Sequence, residues 1–92
     1  MAHRLLINGA LVLTGDVGDL WGDGSGFTSK DVLEALAEHG EGDLTVHLNS
    51  GGGRAWDGVA IYNALRAHRG KVTIYVDAAA LSAASVIVLA GE

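Results

Sequence analysis

Two strand-like runs with a helix-like run between them occupy residues 43–77, and this spacing constrains the chain more than any other feature. "DLTVHLNS" alternates Leu44, Val46 and Leu48 with Thr45 and His47, the period of a strand with one buried face. After three glycines, "WDGVAIYNALRAHRG" places Ile61, Ala64 and Leu65 on one side of a helix, with Gly70 as its stop. "KVTIYVD" returns to the strand period, with Val72, Ile74 and Val76 on one face. Strands joined through a helix run parallel and cross over in the right-handed sense. The two strands are therefore expected side by side in one sheet, and the fold class is α/β.

The flanks agree. "RLLINGALVLTG" reads as two short strands or one kinked strand, with Asn8-Gly9 as a two-residue hairpin signal. "DVGDLWGDGSG" is a loop by its Gly and Asp content. "TSKDVLEALAEHG" is a helix, with Thr28 as cap, Asp31 three residues on, Val32, Leu33, Leu36 and Ala37 as its apolar stripe, and Gly40 as stop. "SAASVIVLAG" is a third helix, apolar nearly all round and so expected to be buried on more than one side. If that cover were lacking, Val86, Ile87 and Leu89 would form an apolar patch favouring association. No internal repeat or low-complexity linker is visible.

Ninety-two residues allow one small domain, and 49% hydrophobic content calls for a packed core. The chain has no Cys, which removes disulfides and thiolate zinc sites. A net charge of -5, with six scattered Lys and Arg, argues against nucleic acid as partner. No signal-peptide pattern and no membrane-length apolar run is present, so a cytoplasmic setting is expected. No metal or cofactor is expected.

In open α/β sheets, ligands bind beyond the carboxyl ends of the strands. Here those ends carry "NSGGG" and "DAAALS". Three glycines permit backbone angles closed to other residues and can expose amides to an anion; they can equally make a plain turn. The nucleotide-loop patterns do not match, since no Lys-Ser/Thr follows. Ser82 stands at a helix start, where a serine is either a cap or a nucleophile beside free amides. Ser85, one turn on, is expected inside the helix, bonded back to a carbonyl.

Taken together, "HLNSGGGRAWDGVAIYNALRAHRGKVTIYVDAAALSAASVIVLAG" resembles the Clp-type serine peptidases of the ClpP/crotonase fold, and among them the phage head maturation (prohead) proteases. The family signature is an "INSPGG" loop, then "G-x-AIYNAL", a strand, and "GxAAS" opening an apolar helix. The resemblance runs from about Leu5 onward and includes "GDVGDLWGDGSGFTSKDVLEALAE". It implies a parallel sheet with flanking helices, residues 1–92 forming a single domain that lacks its C-terminal portion. It places the nucleophile at Ser82, the oxyanion-hole amides at Gly53 and Ala83, and a supporting role at Gly52. It also implies a polypeptide substrate such as a capsid or scaffold protein, a homo-oligomer, and the host cytoplasm if the chain is phage-encoded. Three positions depart from the signature: Gly51 replaces Pro, Ala78 replaces Gly, and Leu81 replaces Ala beside the serine.

A serine hydroxyl needs a base. In the family the His and then the Asp follow the serine, at positions beyond Glu92, so the base is not assigned here. His39 and His68 lie near helix ends, where a cation suits the dipole, and His3 lies in the N-terminal tail. His47 is the one stand-in, but it precedes the glycine loop on a strand and is expected to point off the sheet face. Asp16, Asp19 and Asp23 miss the calcium-loop spacing and read as a solvated loop. Asp77 is placed to orient the turn before Ser82. Trp21 and Trp56 are expected in the core rather than at the rim of a groove. Two rivals share the fold: a non-catalytic assembly or binding module, and a crotonase-like acyl-CoA protein, which needs no serine.

Overall fold

Asn8 and Gly9 reverse the chain between β1 (Leu6–Ile7) and β2 (Ala10–Thr14), which pair antiparallel through Leu6–Leu11 and Ile7–Ala10. Both turn residues have positive φ, 53° and 81°, the geometry that matches strand twist and favours Asn-Gly. The computed structural model describes residues 5–91, and the expectation for His3 lies outside them.

Helix α1 (Ser29–His39) starts as the sequence indicates. The Asp31 amide donates to Thr28 Oγ1 at 3.1 Å, and the Thr28 amide donates to Asp31 Oδ2 at 3.1 Å, a reciprocal capping box. Its buried stripe differs from the expected one. Val32 and Ala35 are buried and Leu36 is half-buried, whereas Leu33 is 56% exposed and Ala37 is exposed. Both stripes satisfy a 3.6-residue period; the helix turns the side bearing the small Ala35 into the core.

β3 (Leu44–Ser50), α2 (Ala55–Arg66), β4 (Val72–Ala80) and α3 (Ala83–Val88) complete the chain. The sheet order is β1-β2-β3-β4, with β2, β3 and β4 parallel. Helix α2 ends at Arg66, with Ala67 as its cap, rather than at Gly70. The Ala67 amide still reaches Asn63 O, but His68 already bonds three residues back, to Leu65 O, which tightens the last turn.

Register decides the layers. Leu11 faces Val46, Leu13 faces Leu48, Leu44 faces Val72 and Val46 faces Ile74. These side chains share one face of the sheet and form a single core with Val32 and Ala35 of α1, Ile61 and Leu65 of α2, and Ala84 and Ile87 of α3. Each fully buried Leu or Ile contributes about 1.5–3 kcal/mol. The opposite face carries Thr45, His47 and Asn49 of β3 beside Thr73, Tyr75 and Asp77 of β4, all half-buried or exposed. Helix α3 is buried on one side only: Ala83, Ala84 and Ile87 are enclosed, Val86 and Val88 are half-buried, and Leu89 is 67% exposed. The two tryptophans are not core residues. Trp21 is 75% and Trp56 71% exposed, because Trp21 lies in the loop before α1 and Trp56 on the face of α2 away from Ile61. Among the described residues no helix is long and apolar enough to cross a membrane.

Candidate active site

Three parallel strands deliver three loops to the same end of the sheet. The loop after β2 reaches the glycine loop after β3 through Val17, whose amide donates to Gly52 O at 2.9 Å and whose carbonyl accepts from the Arg54 amide at 2.8 Å. The glycine loop reaches the turn after β4 in the same way: the Leu81 amide donates to Ser50 O at 3.1 Å. Ser50 is buried, and its hydroxyl accepts from the Gly52 amide at 3.1 Å, which tightens the entry into the glycines.

The glycines are required by contact as well as by angle. Gly52 has φ of 109°, and a Cβ there would lie 2.7 Å from Ser82 Cβ and 2.9 Å from the Leu81 carbonyl oxygen. Gly53 has φ of 154°, and a Cβ there would collide with the Val17 carbonyl oxygen. Bare backbone at these positions lets the loop lie against both neighbours.

Ser82 is exposed and adopts φ 51°, ψ -125°. Such angles cost a non-glycine residue about 1–3 kcal/mol. Its side chain makes no capping bond to α3, so the reading of Ser82 as a helix cap is set aside: a cap needs extended backbone angles to reach the first-turn amides, and Ser82 lacks them. A strained strand-to-helix turn that leaves a serine hydroxyl exposed and without a capping bond can present that serine as a nucleophile. Ser85 is different. Its hydroxyl donates back to the Ser82 carbonyl at 2.5 Å, as expected, but it lies on the exposed side of the helix rather than inside it.

Next to Ser82, the amides of Gly53 and Ala83 donate to no acceptor among the described residues. The Ala83 amide is free because it opens α3. The Gly53 amide is free because Val17 bonds to its two neighbours, Gly52 and Arg54, and passes it by. Unsatisfied amides on the two segments that meet at Ser82 can donate to negative charge developing on an oxygen held near them.

No described histidine is hydrogen-bonded to that hydroxyl. His47 Nδ1 meets Asp77 Oδ1 at 3.1 Å on the helix-free face, His39 Nδ1 meets Gly40 O, and His68 Nε2 meets Gly42 O at 2.6 Å. His47 thus points off the sheet as expected. The acidic residues of the first loop organise it locally: Asp16 accepts from Trp21 Nε1, Asp19 from the Gly24 amide and Asp23 from the Ser25 amide. Among the described residues no group of three or more His, Cys, Asp or Glu side chains converges. The Arg54 guanidinium lies 5.9 Å from the centre of the Trp56 ring, a cation–π contact at the edge of the site. Buried Asp57 accepts from the Ser29 amide at 2.9 Å and ties the start of α1 to α2.

Val17, Asn49 and Asp57 were not singled out from sequence. Val17 carried one usable signal, a lone β-branched residue inside "GDVGD", an otherwise Gly- and Asp-rich loop.

A mainly parallel sheet with helices packed on it, ending in a glycine loop beside a serine turn, is the ClpP-type α/β fold. A model of the Clp protease family matches residues 4–92, and the chain belongs to that family. Among solved structures, ClpP1 from Listeria monocytogenes and a point mutant of it each match with a TM-score of 0.70 at 21% identity, over 91% of this chain. That likeness shows the fold. The chain spans 47%, about half, of each of those chains. No curated protein matches it.

Proposed function

We propose that the protein is a serine endopeptidase that cleaves peptide bonds by acyl transfer. Ser82 Oγ attacks the scissile carbonyl, and the Gly53 and Ala83 amides hold the oxyanion as it forms. Gly52 keeps the loop against the serine. By the family order the base is a His and its acid partner an Asp, both following the serine in sequence. The substrate is a polypeptide lying extended along the loop edge as an added strand. In its finer form the reading is a phage head maturation protease, acting on capsid or scaffold chains as a homo-oligomer in the host cytoplasm, with no cofactor.

The observation that carries this reading is the strained Ser82 beside two unpaired amides. In the full-length protein a serine-directed fluorophosphonate labels Ser82 and leaves Ser85 untouched. Ser82→Ala abolishes labelling and peptide cleavage while the fold persists. Equal labelling of the Ser82→Ala protein would falsify the assignment.

A further inference from the structure

The strand that delivers Ser82 is irregular just before it does so. Leu48 pairs with Val76 and Ser50 pairs with Ala80, so Asn49 alone faces Asp77, Ala78 and Ala79. An ordinary bulge sets two residues against one; here three residues of β4 face one of β3, and Ser82 follows two residues after the pairing resumes. Extra strand residues lose their ladder partners, and a segment without partners does not hold one shape.

Two side chains of β3 replace the missing ladder. Asn49 Oδ1 accepts from the Ala79 amide at 3.3 Å. His47 Nδ1 meets Asp77 Oδ1 at 3.1 Å. The His47 ring is itself fixed by stacking on Tyr75, its cross-strand partner, with centroids 5.4 Å apart and planes 19° from parallel. All of these groups lie on the helix-free face.

We propose that His47, Asp77 and Asn49 are positioning residues: they brace the β4 bulge from β3 and so set the angle at which Ser82 is presented. The inference rests on Ser82 being the nucleophile. None of the three bonds to the hydroxyl; His47 and Asp77 act through the four backbone residues 78–81, and Asn49, bonded at Ala79, through residues 80 and 81. The contact joins a ring nitrogen of β3 to a carboxylate oxygen of β4, so removing either partner releases the brace. An exposed pair of this kind contributes little to stability, so its loss alters geometry before it unfolds the protein.

The test uses the full-length protein with Asp77→Ala and the conservative Asp77→Asn, which keeps an oxygen acceptor for His47. Three quantities are read: the rate constant for fluorophosphonate labelling of Ser82, kcat and KM separately on a peptide substrate, and hydrogen exchange at the Ala79 and Leu81 amides. Asp77→Ala is expected to lower labelling and kcat about tenfold with KM unchanged, a smaller loss than the roughly hundredfold for an ångström of misplacement. Exchange at both amides rises about tenfold through local opening. Asp77→Asn recovers most of both effects. Unchanged labelling or unchanged exchange in Asp77→Ala overturns the proposal, and so does an Asn variant as impaired as the Ala variant. Exchange reads the bulge without any chemistry: if unmodified protein is not labelled at Ser82, the peptidase reading fails, while the exchange result still decides whether the brace exists.

Discussion

Two helices of this chain begin with a hydroxyl residue, and the two hydroxyls have opposite fates. Thr28 precedes α1 with extended angles, φ -102° and ψ 166°, and its oxygen accepts from the Asp31 amide. Ser82 precedes α3 with φ 51° and ψ -125°, and its oxygen bonds to nothing in its helix. Residue type and position along the helix are alike. Backbone angle separates them: an extended residue folds its side chain over the first turn, while a residue at positive φ swings it away. A hydroxyl spent on capping is unavailable for chemistry. The strain at Ser82 leaves its hydroxyl, and the first amide of α3, unoccupied.

The comparison breaks most severely at the loop that faces Ser82. In the full-length protein Gly53→Val forces the loop off the Val17 carbonyl and misdirects the Gly53 amide. Turnover should fall about a hundredfold or more, the scale of losing one oxyanion donor; normal turnover would mean that the glycines serve only as a turn. Next in size is Ser82→Gly, which abolishes labelling yet relieves the positive φ. Relief of about 1–3 kcal/mol, set against a glycine entropy cost of about 0.5–1 kcal/mol, should raise the melting temperature by a few degrees. Ser82→Ala keeps the strain and should show no such rise; equal melting temperatures for the two variants would count against strain at this residue.

Thr28→Ala should move stability the other way. Loss of the capping box costs about 1 kcal/mol, read as a lower denaturant midpoint with activity per folded molecule unchanged. The smallest effect concerns a third hydroxyl, that of Ser25. Its hydrogen bonds, first through the side chain and then through the backbone, hold the Asp23 carboxyl below its usual 3.8. A depressed carboxylate contributes its stabilisation above the unfolded value, and that contribution is lost as pH falls through the lower folded value. Ser25→Ala should bring the Asp23 titration, followed by carboxyl NMR, back toward 3.8; an unmoved titration would mean that the hydroxyl plays no part.

Features governed by neighbours in sequence were legible before the structure. The Thr28–Asp31 box, the Asn8-Gly9 hairpin and the parallel β3–α2–β4 unit depend on residues a few positions apart or on a simple period. Features governed by register were not. The three-against-one bulge opposite Asn49 depends on where Leu48 and Ser50 find partners thirty residues away. The freedom of the Gly53 amide depends on Val17, in a loop the sequence marks only as polar and glycine-rich. Trp56 was misplaced for a related reason: α2 has apolar residues on two sides, Ile61 and Leu65 inward and Trp56 and Val59 outward, and period alone does not choose between them.

Val17 also separates the site from the rest of its own loop. It bridges Phe27 as well as Gly53, with the Gly18 amide donating to Phe27 O at 2.7 Å and the Phe27 amide donating to Asp16 O at 2.9 Å. Residues 18–26 therefore leave and return through one closed gate. Gly18 and Gly26 at its two ends are needed, since a Cβ at Gly26 would lie 2.5 Å from Asp16 O; between them the ends are pinned before they reach the glycine loop, and doubling the length of such a loop costs only about 0.6 kcal/mol of closure entropy. The tip that carries Trp21 can accordingly diverge, or accept a grafted peptide, while the hydroxyl and its two amides keep their places.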